Sequence, residues 1–208
     1  MNNINSVLDQ LASEGAAPPP GQGLRFAGPL LAVLVLCAMG VTVVFDGAFA
    51  SMARHGMGPI AVKWGFSIAL LALCGLALLI LGKPGRPSNA AMFAVAIPFV
   101  PVLALLGFEL AIAGPLVYGE TWRECLAAML VMSPIAFAGA ISGARSLAPT
   151  NTRRAGLVAG LFGGAVAMTA YAPFCPELGM AYMAVFYLLP ILTMALLGWA
   201  LGPKLLRW

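Results

Sequence analysis

Apolar residues run almost without interruption from Phe26 to Phe45, and again over 59–81, 90–112, 122–144, 156–173 and 182–202. Each run is close to the ~20 residues that an α-helix needs to cross the hydrocarbon core of a bilayer. The segments between them, 46–58, 82–89, 113–121, 145–155 and 174–181, are short and rich in glycine, proline or polar residues, as turns between helices should be. They leave no room for a separate soluble domain. The pattern predicts an all-α membrane protein, a bundle of six transmembrane helices occupying residues 26–208.

Residues 1–25 follow a different rule. Ile4, Val7, Leu8 and Leu11 recur at the i, i+3, i+4, i+7 spacing of a single helix face, and Asn3 or Asn5 is placed to cap such a helix. Ala16-Ala17-Pro18-Pro19-Pro20-Gly21-Gln22-Gly23 then ends the periodicity and reads as a partly stiff tether. An amphipathic helix this short is marginal alone in water, so its stripe calls for a membrane surface or a partner protein. Ala48-Phe49-Ala50 before Ser51 resembles a signal-peptide cleavage site. However, the apolar run ahead of it exceeds the usual ~7–15 residues, and no basic residue precedes Arg25; the first run is expected to be a retained span.

Composition agrees with the pattern. Of 208 residues, 62% are hydrophobic and 9% charged, against roughly 25% charged in soluble domains. The formal net charge of +4 is an orientation code rather than a nucleic-acid signal, since no basic run exceeds Arg153-Arg154. Eight of the eleven basic residues (Arg25, Lys83, Arg86, Arg145, Arg153, Arg154, Lys204 and Arg207) collect on one side of the predicted bundle, leaving Arg54, Lys63 and Arg123 on the other. The positive-inside rule then puts both termini in the cytoplasm. Cys125 and Cys175 fall at the opposite, external face, while Cys37 and Cys74 lie within apolar helices and read as packing.

Little of this supports catalysis. The one histidine, His55, has no companions for a triad or a multi-histidine metal site, and no phosphate-binding or zinc-protease motif is present. Lys63, Glu109, Arg123, Glu120 and Glu124 could form a charged cluster at the external face, either as ion pairs that fix helix orientation or as part of an ion pathway. Trp64, Trp122, Tyr118, Tyr182 and Trp208 lie near span ends, where aromatic rings anchor at the interface. Gly139-xxx-Gly143 and Gly156-xxx-Gly160-xxx-Gly164 supply small faces for close helix approach within the bundle, and such faces would also permit dimers. Cys125 and Cys175 admit several readings. With Arg123 or Lys63 nearby, a thiolate is favoured. The pair could cycle between dithiol and disulfide, hold a soft metal ion with His55 or Glu177, form a static bridge, or never meet.

An ordered set of residues carries a family resemblance. It comprises Trp122-Arg123-x-Cys125 opening the fourth span, Ala148-Pro149-Thr150, the glycine-rich fifth span, Tyr171-x-x-x-Cys175-Pro176-Glu177, Phe186-Tyr187, and Leu201-Gly202-Pro203-Lys204-Leu205-Leu206-Arg207-Trp208. With Lys63-Trp64 as a weaker match upstream, this order resembles the NrsF-like family of six-span bacterial inner-membrane proteins. Two departures are Phe174, where relatives often carry histidine before the second cysteine, and Phe186-Tyr187, where they often have Trp-Tyr. The resemblance implies an anti-sigma factor. Its cytoplasmic N-terminal helix would bind an extracytoplasmic-function sigma factor through Ile4, Val7, Leu8 and Leu11. Its periplasmic cysteines would sense oxidants or heavy metals, supported by Lys63, Glu109, Trp122 and Arg123. No resident cofactor is implied beyond a transient heavy-metal ion at Cys125 and Cys175, and no direct contact with nucleic acid. The competing expectation is a small transporter or channel subunit with a thiol or metal site at its outer mouth.

Overall fold

A computed structural model describes residues 21–49, 56–83, 88–113, 119–177 and 179–207. All regular structure among them is helical: α1 (Gln22–Val44), α2 (Gly58–Leu81), α3 (Ser88–Ala96), α4 (Phe99–Ala113), α5 (Trp122–Arg145) and α6 (Thr152–Tyr171). A 3-10 turn (Ala172–Phe174), α7 (Met180–Met183), a π-helical turn (Ala184–Leu188) and α8 (Leu189–Leu205) follow. Joined where they are continuous, these make six helices long and apolar enough to cross a membrane: Gln22–Val44, Ile60–Leu81, Ser88–Ile112, Trp122–Arg145, Thr152–Phe174 and Met180–Leu205. The first begins four residues ahead of Phe26, because Gly21, at φ 84°, allows the chain to turn into a helix at Gln22. The amphipathic segment expected over Ile4–Leu11 lies outside the described residues.

Prolines set the breaks. Pro98 has no N–H to give the carbonyl four residues before it, Ala94. Ile97 N–H takes that carbonyl instead (3.2 Å) and Val100 N–H bonds to Ile97 (3.1 Å), which parts α3 from α4. Pro190 withdraws its N–H from Phe186 in the same way, and the turn just before it is wound as a π-helix. Pro134, by contrast, lies inside an uninterrupted α5.

α6 is the central element, buried along nearly its whole length. Its small residues explain why. A Cβ added to Gly160 would come within 2.8 Å of the Ala195 Cα, and one on Gly164 within 2.9 Å of the Ile191 Cα, so α8 meets this face at backbone distance. On another side, a Cβ at Gly163 would lie 2.8 Å from the Phe137 nitrogen of α5. α5 in turn receives α1 at Gly139 and Gly143. Two helices can thus approach α6 without intervening side chains, the arrangement that small residues support in apolar surroundings.

The described ends of the chain share one end of the bundle. Gln22 Nε2 donates to the Ser146 carbonyl (3.3 Å) and Arg145 Nε to the Leu205 carbonyl (2.7 Å). The Asn151 side chain accepts from Arg154 N–H (3.1 Å) and caps α6, while the Arg154 guanidinium donates to Asn89 Oδ1 (2.8 Å) and to Ser88 Oγ at the start of α3. Cys125 and Cys175 lie at the other end.

Gly160→Val should lower the thermal midpoint of the purified protein in nanodiscs, by an amount equivalent to about 1–3 kcal/mol of overpacking. Gly65→Ala is the control, since nothing lies within 4 Å of a Cβ at that position. Equal midpoints for the two variants would contradict the close α6–α8 contact.

Candidate functional site

At the end remote from the chain termini, two cysteines come together from elements fifty residues apart. Cys125 lies in the first turn of α5, its N–H bonded to the Thr121 carbonyl (3.1 Å). Cys175 follows the 3-10 turn in an extended conformation (φ −84°, ψ 115°), which ends the fifth long helix and swings the thiol back toward α5. Both are free thiols, 0% and 1% exposed, and their side chains adjoin each other. The Cys125 thiol also donates to the Phe186 carbonyl (3.8 Å), the carbonyl from which Pro190 withholds its N–H.

Lys63 of α2 is the third member. Its side chain is 4% exposed, and its ammonium donates to the carbonyls of Cys175 (3.1 Å) and Glu177 (2.6 Å). A buried ammonium is tolerated only when hydrogen bonds replace its lost water, and these two carbonyls do so. Cys175, just past the fifth long helix, is held below the ordinary thiol range. The largest cause is the hydrogen bond with Cys125 and the next favourable one is the Lys63 charge, while burial opposes both.

Two carboxylates fix the surrounding helix ends. Glu177 Oε1 accepts from Thr121 N–H (3.4 Å) and Thr121 Oγ1 (3.3 Å), where α5 begins. A Cβ on Gly119 would fall on the Glu177 carboxylate, so only glycine leaves room for it. Glu109 of α4 accepts from Met180 N–H, the first residue of α7. Each carboxylate satisfies a helix N-terminus that its own chain neighbourhood leaves uncapped, and each negative charge faces the positive end of a helix dipole.

Aromatic rings close the site. Trp122 lies 6.2 Å from Phe186, Phe186 lies 4.6 Å from Tyr182, and Tyr171 lies 6.4 Å from Tyr187. The Tyr187 hydroxyl is fully buried and faces both sulfurs, with no partner at ordinary hydrogen-bonding distance.

The expected residues are therefore sorted by the structure. Cys125, Cys175 and Lys63 meet. Glu109 and Trp122 support the same end of the bundle at one remove. Arg123 does not join the thiols; its guanidinium lies 5.2 Å from the Trp122 ring centre, on the exposed side. The charged cluster resolves into separate contacts, with Lys63 and Glu109 bound to backbone groups and Arg123 to an aromatic face. Tyr182 is buried against Phe186 rather than anchored at an interface, because the turn that starts the sixth long helix faces inward. His55, Tyr118, Trp208 and the Ile4/Val7/Leu8/Leu11 stripe lie outside the described residues. Among those described, no three His, Cys, Asp or Glu residues gather as a metal site, and Glu177 is turned to Thr121. The roles of Glu177 as a cap and Tyr187 as a neighbour of the thiols had little signal in the sequence. A Thr121-x-x-Glu124 pattern even suggests a local capping box, which the structure replaces with the distant Glu177.

Comparison with known proteins bears on what such a site serves. Residues 11–208 match the family described as "NrsF: Negative regulator of sigma F". The chain is 34% identical over 208 residues to a "Probable anti-sigma-F factor NrsF" from Azospira oryzae, covering 95% of both chains. It is 30% identical over 215 residues to an "Anti-sigma-F factor NrsF" from Caulobacter vibrioides, covering 98% of this chain and 99% of the relative. No solved structure matches it.

Glu177→Ala should cost about 1 kcal/mol, the usual effect of losing a helix N-cap, and Gly119→Ala should act similarly by displacing the same carboxylate. Thermal unfolding of both single variants and the double variant checks this. Additive rather than overlapping losses would break the link between the two residues.

Proposed function

Because this chain belongs to the NrsF family of negative regulators of sigma F, we propose that it is an anti-sigma factor, regulatory rather than catalytic, embedded in the bacterial inner membrane. The observation that carries this reading is likeness along nearly the entire chain to two proteins named as anti-sigma-F factors.

Both termini lie in the cytoplasm in this reading, as the basic residues of the connectors favour. An extracytoplasmic-function sigma factor is held by residues 1–25, the apolar stripe Ile4, Val7, Leu8 and Leu11 seating in a groove on the folded partner. Cys125 and Cys175 face the periplasm, where oxidants or thiophilic metal ions alter them and release the partner. The pairing of the two thiols beside the Lys63 ammonium supports this assignment of the input. Release requires two bundle arrangements of different stability. Shifting their ratio from 1:99 to 99:1 takes about 5.5 kcal/mol of differential stabilisation, an amount within reach of a covalent or metal cross-link between α5 and the Cys175 segment.

Two measurements test the proposal. Affinity purification from membranes should bring down a sigma factor with the native chain. It should fail to do so with the double variant Leu8→Asp, Leu11→Asp, although that variant still inserts; undiminished capture would remove residues 1–25 as the binding segment. The double variant Cys125→Ser, Cys175→Ser should still repress sigma-dependent transcription but not respond to oxidant or heavy metal. Persistent induction in that variant would remove the cysteines as the input.

A further inference from the structure

The two thiols have unlike surroundings. Cys125 acts as a donor: its hydrogen is directed to the Phe186 carbonyl, and a carbonyl oxygen beside sulfur opposes a negative charge there. Cys175 is on the opposite footing. The Lys63 ammonium is bound to its own carbonyl and to that of Glu177, so a buried positive charge is fixed within one residue's reach of this sulfur. The Cys125 sulfur adjoins it as well. The Tyr187 hydroxyl, fully buried with no close acceptor in the dithiol state, also faces it, and an anionic sulfur would give this donor the partner it lacks. A buried polar group left without a partner is destabilising, so a ring without the hydroxyl would suit a purely structural role better.

We propose that Cys175 is the thiol that reacts first with a small hydroperoxide, that Cys125 resolves the product to a disulfide, and that Lys63 is the positioning residue that sets this order. This deepens the sensing reading above by assigning the sequence of events at the same site. In the first step the Cys175 thiolate attacks the terminal oxygen of the hydroperoxide. The S–O bond forms, the O–O bond breaks, Cys175 becomes a sulfenic acid, and the departing alkoxide or hydroxide takes up the proton that Cys175 had released. In the second step the Cys125 sulfur attacks the sulfenic sulfur. The S–S bond forms and the S–O bond breaks, and hydroxide leaves with the Cys125 proton as water. Two thiols and one hydroperoxide thus give one disulfide, one alcohol or water, and a further water. The substrate class follows from burial. With the sulfurs 0% and 1% exposed, a small neutral peroxide can enter on a brief local opening, whereas glutathione-sized oxidants cannot.

The test uses the full-length protein in nanodiscs, treated with hydrogen peroxide and the sulfenic-acid trap dimedone, and read by mass spectrometry. In Cys125→Ser the adduct should accumulate on Cys175. In Cys175→Ser the adduct on Cys125 should form about ten-fold more slowly or not at all. Unsubstituted protein, which needs no mutation to remain folded, should pass to a Cys125–Cys175 disulfide through an adduct trapped on Cys175. Lys63→Met should slow disulfide formation about ten-fold and Lys63→Arg much less, a difference that loss of packing alone would not produce. Equal labelling of the two cysteines, preference for Cys125, no labelling of either, or an unchanged rate in Lys63→Met would each overturn the proposal. Capture of a sigma factor by the same reduced preparation is scored separately, so failure of the anti-sigma reading is distinguishable from failure of this order.

Discussion

Taking an ammonium group out of water costs several kcal/mol unless protein groups replace its hydration, and at Lys63 the replacement is two carbonyls from the segment Cys175–Glu177. That exchange fixes α2 to the connector between the fifth and sixth long helices. The same connector carries the Glu177 carboxylate that caps α5 and the Cys175 thiol that meets Cys125 of α5. Glu109 adds a parallel tie between α4 and the start of the sixth long helix. Most helices that reach this end of the bundle are therefore joined through polar groups of a few residues, one of these bonds fully buried and the others partly so.

A second dependence runs along the sixth long helix. Pro190 removes one rung of the helical ladder, the turn before it is wound as a π-helix, and the Phe186 carbonyl becomes an acceptor for the Cys125 thiol. A sequence feature that looks like a simple interruption thus reaches a cysteine that precedes it by 65 positions. Below this turn α8 lies against α6 at backbone distance through Gly160 and Gly164. The thiol site and the tightly packed seam are consecutive stretches of one helix.

The six long helices were legible because bilayer length and uninterrupted apolarity are properties of contiguous residues. The glycine faces were legible for the same reason: their spacing is local. What escaped was non-local. Nothing near Glu177 says that its carboxylate caps a helix beginning at Trp122, and nothing near Arg123 says that it turns to its own neighbour Trp122 while Lys63, from a separate helix, approaches Cys175. Tyr182 was misread because position along the membrane normal can be inferred from sequence, whereas the direction a side chain faces around a helix needs its neighbours. The meeting of Cys125 and Cys175 was one of several open arrangements until the 3-10 turn gave Cys175 its direction.

The Lys63 charge has one consequence for how many resting forms this site can have. As a dithiol the cluster of Lys63, Cys125 and Cys175 carries one positive charge. As a disulfide it carries the same charge, and a divalent ion that displaces both thiol protons would leave it unchanged again. These three end states are isoelectric, so interconverting them does not alter the electrostatic self-energy of a buried group by a full unit. Only the singly ionised form differs, and it is the one that the ammonium neutralises. Such end states would differ in the distance between the two sulfur atoms and in whether Cys125 keeps a hydrogen for the Phe186 carbonyl, neither of which is a change of net charge.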